Sequence, residues 1–110
     1  MYCAGLNLEV LARFQDHQGF DGVMLGRRGM DYHFEFTQCR DDPVVASPTH
    51  DDLLVFYVPN REEWKSACAR LVANGFVRVA SFNPYWDVLG QTFADPDGYR
   101  VVMQNAAWSY

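Results

Sequence analysis

Basic charge is scarce in these 110 residues, where nine Lys and Arg stand against fourteen Asp and Glu for a formal net charge of -5 at pH 7. The basic residues are scattered, and Arg27-Arg28 is their one adjacent pair. No stripe exists to follow a phosphate backbone, which argues against nucleic acid as a partner. Also missing is any apolar run of the roughly 20 residues that a bilayer requires, and no signal-peptide pattern follows Met1. No membrane association is expected, and the cytoplasm is the default location. Cysteine is sparse: Cys3, Cys39 and Cys68 are odd in number and match no zinc or redox spacing, so reduced thiols are expected. Apolar residues, by contrast, make up 49% of the chain, enough for one compact domain with a core but hardly for two.

The most ordered pattern lies at the end, from Gly90 to Trp108. Gln91 to Phe93 is a short β-type run, and Asp95-Pro96-Asp97-Gly98 places Pro and Gly where a turn needs them. Tyr99 to Gln104 then alternates with the strand period. That period sends Tyr99, Val101 and Met103 to a core face and Arg100, Val102 and Gln104 to the other.

Earlier segments fall into place around it. Tyr2 to Leu6 reads as the last turn of a helix stopped by Gly5. Strands are expected over Leu8 to Phe14, Phe20 to Leu25 and Tyr32 to Gln38, with a polar turn at Gln15 to Gly19. A linker-like stretch, 39–52, contains Pro43, Pro48 and two Asp-Asp pairs. Leu53 to Val58 is a continuous apolar strand. Arg61 to Asn74 is the clearest helix: Asn60 caps it, Glu63 completes a capping box, Gly75 stops it, and Trp64, Ala67, Cys68, Leu71 and Val72 form its apolar stripe. Cys68 is therefore expected in the core rather than as a reactive thiol. Phe76 to Ser81 is a further strand, and Asn83 to Asp87 an aromatic loop. Asp16, His17 and Asp21 cluster in the first hairpin and read as solvated.

The two halves repeat one another. Ala4-Gly5-Leu6 matches Asn74-Gly75-Phe76, and Tyr32-His33-Phe34-Glu35-Phe36 matches Tyr99-Arg100-Val101-Val102-Met103. The expected fold class is α+β: one domain, 1–110, of paired βαβββ modules forming a curved mixed sheet. The first module, 1–38, lacks its leading strand and most of its helix, and the second, 53–110, is complete.

Paired βαβββ units ending in DPDGYRVVMQN resemble the vicinal-oxygen-chelate superfamily of glyoxalases, bleomycin-resistance proteins and extradiol dioxygenases. The resemblance implies helices on the convex side of the sheet and a ligand or divalent metal in the concave side. It also implies metal ligands on the first and last strands of each module. In this chain those positions fall on Glu35, Leu53 and Val102, and Leu and Val offer no donor atom. A family metal site is therefore not expected and no cofactor is implied. If a divalent metal is present, Glu35, His33 and His50 are its candidates.

The surface expected to line the cavity comprises His33, Glu35, Leu53, Val55, Tyr57, Arg100, Val102 and Gln104, with Thr37 beside them and Tyr85 and Trp86 available to stack on a planar ligand. His33 and Glu35 are two apart on one strand face and are the weak candidates for a catalytic base and its partner; a solvated polar pair is the competing reading. Arg100 could meet a carboxylate or phosphate. Phe34 and Phe36 lack a covering helix in this register, so either the chain is a fragment of a longer gene product or a second copy supplies the cover, and a homodimer through the first-half strands is expected. The leading functional expectation is a metal-free small-molecule-binding protein for an apolar or aromatic compound. The alternatives are a metal-dependent lyase or dioxygenase of the glyoxalase type and a truncated scaffold without ligand.

Overall fold

One helix carries most of the packing. In the computed structural model, which describes residues 1–41, 46 and 48–108, α2 spans Arg61–Ala73. The Asn60 side chain accepts the Glu63 amide at 3.0 Å, and Glu62 and Glu63 place negative charge at the positive end of the helix dipole. At the other end Gly75 adopts φ +96, the Phe76 amide donates to the Leu71 carbonyl and the Gly75 amide to the Val72 carbonyl. This paired closure needs a residue that tolerates the left-handed region. Ala67, Cys68 and Leu71 are buried, as the stripe predicts, but Val72 is 54% exposed. Eight residues beyond Trp64, it has turned about 80° from that residue's direction and lies past the edge of the buried face.

α2 covers a four-stranded sheet of β4 (Leu53–Tyr57), β5 (Val77–Val79), β6 (Gly90–Ala94) and β7 (Arg100–Gln104), in the order β4-β7-β6-β5. β4 runs parallel to β7 and the other pairs are antiparallel. Val101, Met103 and Phe93 face the helix and form the core with Leu6, Leu71 and Phe76. Tyr99 stands just before β7 and is exposed, so the expected core face begins at Val101. The hairpin turn is organised by Asp95. Its Oδ1 accepts the amides of Asp97 at 3.0 Å and Tyr99 at 2.9 Å, its carbonyl accepts the Gly98 amide, and Gly98 takes φ +92.

A three-stranded antiparallel sheet holds β1 (Glu9–His17), β2 (Phe20–Gly26) and β3 (Phe34–Cys39), in that order. β1 runs through the expected turn at Gln15 because the reversal is confined to Gln18 and Gly19, both at positive φ, the geometry of a tight two-residue hairpin. Before it, the short helix α1 (Tyr2–Gly5) lies against α2, and Leu6 enters the common core. The fold is α+β, as expected. The curved surface is built from two hydrogen-bonded sheets, with no ladder between β3 and β4 among the described residues. The linker 39–52 falls partly on residues 42–45 and 47, outside those described. Among the described residues no helix is long and apolar enough to cross a membrane.

Candidate functional site

The gap between the two sheets opens into a cleft of about 860 Å³. β3 contributes Glu35, Phe36 and Thr37 to its wall, β4 contributes Leu53 and Leu54, and Arg100 enters from the start of β7. Strand period normally separates neighbouring residues onto opposite faces. Here Glu35 and Phe36 line one cavity, as do Leu53 and Leu54, so the cleft runs past the open edges of both strands.

The cleft brings together Glu35, Thr37, Leu53 and Arg100 of the residues expected at a ligand site. His33 stands just before β3, with Nε2 3.6 Å from Glu35 Oε1, and both side chains are about half exposed. The pair is real but wet, and an exposed ion pair of this length contributes little. Arg100 Nη1 donates to the Ala80 carbonyl at 3.4 Å.

The remaining candidates lie apart. Val102 is 0% exposed, Thr92 beside it likewise, and Gln104 2%, because the chain between β5 and β6 folds over this face of the sheet. There Ser81 Oγ meets Thr92 Oγ1 at 3.3 Å, and Gly90, opposite Gln104 in the ladder, sits under the Trp86 carbonyl. Val102 and Gln104 thus face their own chain rather than an open cavity. Gln104 Oε1 is buried without a hydrogen-bond partner among the described residues. Val55 and Tyr57 are half-buried, and the Trp108 ring lies 5.4 Å from that of Tyr57. Tyr85 and Trp86 meet edge to face at 4.9 Å on α3 (Tyr85–Val88), a short helix formed where a loop was expected. Its start is fixed by the Asn83 side chain accepting the Tyr85 amide, and Asp87 folds back to accept the Ser81 amide.

His50 packs against the Phe82 ring, and Leu53 and Val102 carry no donor. No three His, Cys, Asp or Glu side chains among the described residues converge as a cation requires.

Several residues that pattern alone did not reveal belong to this region. Tyr2 lines the cleft, and its hydroxyl donates to Asp95 Oδ2 at 2.7 Å. Burial and this bond to a carboxylate push the Tyr2 pKa far above its usual value of 10.0. Asp52, Asp95 and Asp97 join Glu35 there, so among the described residues four carboxylates and one guanidinium, that of Arg100, line the cleft. The DPDG signature marked the turn, but nothing local told that its first Asp meets the second residue of the chain. Tyr2 also covers Phe36, ring to ring at 5.0 Å, while Phe34 finds Phe56 at 6.3 Å. The first-hairpin cluster is held by Arg40, whose Nη2 lies 2.8 Å from Asp21; that hydrogen bond holds the Asp21 carboxyl below the usual carboxylate range. Cys68 is core, and burial pushes its thiol up to about 11.

Two family models match the chain, the YycE-like N-terminal domain over residues 1–37 and the YycE-like C-terminal domain over 51–105. The uncharacterized protein YycE of Bacillus subtilis (strain 168) is 45% identical over 105 residues, spanning 96% of this chain and 76% of that one. The chain belongs to the YycE-like family. A crystal structure of a Bacillus subtilis YycE protein of unknown function, described as a candidate glyoxalase or fosfomycin resistance protein, superposes with a TM-score of 0.88 at 44% identity, covering 98% of this chain and 79% of that one. The trypanothione-dependent glyoxalase I of Leishmania major shares the fold, with a TM-score of 0.67 at 17% identity over 96% of this chain and 73% of that one. The YycE-like chain therefore has the glyoxalase fold, consistent with the vicinal-oxygen-chelate resemblance of its closing hairpin.

Proposed function

We propose that this YycE-like protein binds a small organic molecule in the cleft between its two sheets, without a divalent metal of its own. The observation that carries the reading is the cleft itself: about 860 Å³, apolar along Tyr2, Phe36, Leu53 and Leu54, with charged groups at a few points of its wall. That size and mixture suit a drug-sized compound. The charges define the ligand further. Four carboxylates against one guanidinium favour an aromatic or apolar compound bearing a basic group over an anion, since an anion would be repelled by most of the wall. The glyoxalase and fosfomycin-resistance descriptions of related structures fit a small-molecule role; the metal chemistry of such enzymes lacks support in the donor set. A cytoplasmic location fits the free thiols of Cys3, Cys39 and Cys68.

Isothermal titration with matched basic, neutral and acidic aromatic compounds tests this, each in the presence of a chelator. Saturable binding of the basic members, weakened at least tenfold by Glu35→Gln, is expected. Preference for the acidic members, or binding that appears only with added divalent metal, would overturn the reading.

A further inference from the structure

We infer that a second cavity, on the helix side of the molecule, is a binding site for a small alkyl carboxylate. It holds about 230 Å³ and lies where α2 meets the start of β3 and the end of β4. None of its lining residues belongs to the cleft between the sheets.

Its charge is the reverse of the cleft's. Arg27 and Arg70 line it and, among the described residues, no Asp or Glu does, although the chain as a whole carries a net charge of -5. Arg70 stands one turn beyond Ala67 on α2, on the flank of the buried stripe, and is half-buried. Its Nε is buried with no hydrogen-bond partner among the described residues. A guanidinium cannot escape by releasing its proton, so a buried N–H of this kind is costly until an acceptor meets it. Arg27 is exposed and sits at the mouth. Its Nε donates to the Asn7 carbonyl at 2.8 Å, which ties the side chain down while its Nη groups remain as donors.

The rest of the wall is largely apolar. Phe34 of β3 and Phe56 of β4 meet there with ring centroids 6.3 Å apart, flanked by Leu8 and Val58. Met30 and Met103 also line it, and unbranched thioether side chains adapt to the shape of a flexible chain. This combination selects a class of ligand. An inorganic anion gains nothing from the apolar wall, a neutral hydrocarbon leaves Arg70 unmet, and a basic compound is repelled. An alkyl carboxylate satisfies both parts: its two oxygens match the guanidinium fork and its tail lies against the apolar wall. The volume is below that of a drug-sized pocket, which restricts the tail to a short or medium chain. Phe34 and Phe56 belong to sheets with no ladder between β3 and β4 among the described residues, so a bound tail ties the two sheets together.

Methyl-labelled methionine NMR of the full chain, with octanoate as the probe, reads the site directly. Met30 and Met103 line this cavity, Met1 lines the cleft and Met24 lines neither. Saturable shifts at Met30 and Met103 are expected, with Met1 and Met24 unmoved. Isothermal titration should show octanoate binding at least tenfold more tightly than octan-1-ol or inorganic phosphate. Arg70→Gln, with its melting temperature checked to confirm folding, should weaken octanoate at least tenfold and leave octan-1-ol unchanged; Arg27→Gln, at an exposed position, should weaken octanoate at least threefold. Glu35→Gln, which alters the cleft, should leave octanoate binding intact, so this site and the proposed cleft ligand stand or fall separately. The inference is overturned if octanoate does not bind saturably, if octan-1-ol or phosphate binds as tightly, if neither arginine variant weakens binding, or if the shifts fall on Met1.

Discussion

The Tyr2 hydroxyl donates to Asp95 Oδ2 at 2.7 Å, joining the first helix to the closing hairpin across 93 positions of sequence. Asp95 meanwhile holds the turn amides with its other oxygen, so one carboxylate fixes both the hairpin and the wall of the cleft. Tyr2→Phe keeps the ring against Phe36 and Phe76 and removes only this bond. A loss of about 1.5–3 kcal/mol in denaturant unfolding is expected, the range for a hydrogen bond to a charged group.

The same phenol sets an alkaline limit. Its folded pKa is raised above 10.0, first by burial and then by the bond to Asp95. The neutral form is thus favoured by folding: the stabilisation is complete below pH 10 and fades as pH climbs from there toward the folded value. Unfolding titrations from pH 8 upward should show stability falling beyond pH 10 in the native chain and a shallower fall in Tyr2→Phe.

Gly90→Ala should destabilise the second sheet. A β-carbon there would overlap Gln104 Oε1 and stand 2.7 Å from the Trp86 carbonyl oxygen. Backbone cannot yield as a side chain does, and overpacking typically costs about 1–3 kcal/mol. Differential scanning calorimetry of the variant checks this.

Among the three thiols, Cys3 and Cys39 are half-buried and Cys68 is buried with its pKa raised to about 11 by desolvation. Thiolate is the reactive form. Maleimide labelling at pH 8, followed by peptide mass mapping, should modify Cys3 and Cys39 well before Cys68; rapid labelling of Cys68 in the native chain would show that α2 does not cover it.

Leu71→Ala should cost about 2–5 kcal/mol, the range for emptying a large aliphatic site in a packed core. Leu71 is wholly buried in the core cluster with Phe76, Phe93, Val101 and Met103. Val72→Ala, one residue away but exposed, should change stability by less than about 0.5 kcal/mol. Equal effects would contradict the observed helix face.

What the sequence made legible were local agreements. Asn60, Glu63 and Gly75 bracket α2, the alternation after Gly98 separates Val101 and Met103 from Arg100 and Val102, and Cys68 falls on the buried stripe. The repeat led to the glyoxalase fold. Long-range and marginal features escaped. The Tyr2–Asp95 bond and the Arg40–Asp21 pair join residues with no common pattern. Strand period correctly placed Val102 and Gln104 opposite the core, but alternation says nothing about the segment around Ser81 and Trp86 that closes over them. Of the expected ligand surface, Glu35, Thr37, Leu53 and Arg100 converge because they flank an open edge, a property of pairing between strands and not of any one strand.

The most direct test of the account is thermal unfolding of the chelator-treated chain with a series of basic aromatic compounds. A ligand at 100 times its Kd adds about 2.7 kcal/mol to the native state, and a shift of several degrees follows for a chain of this size. The account predicts a saturable rise in melting temperature that persists in chelator and shrinks in Glu35→Gln. A melting temperature unmoved by every compound, or raised only when divalent metal is restored, would contradict it.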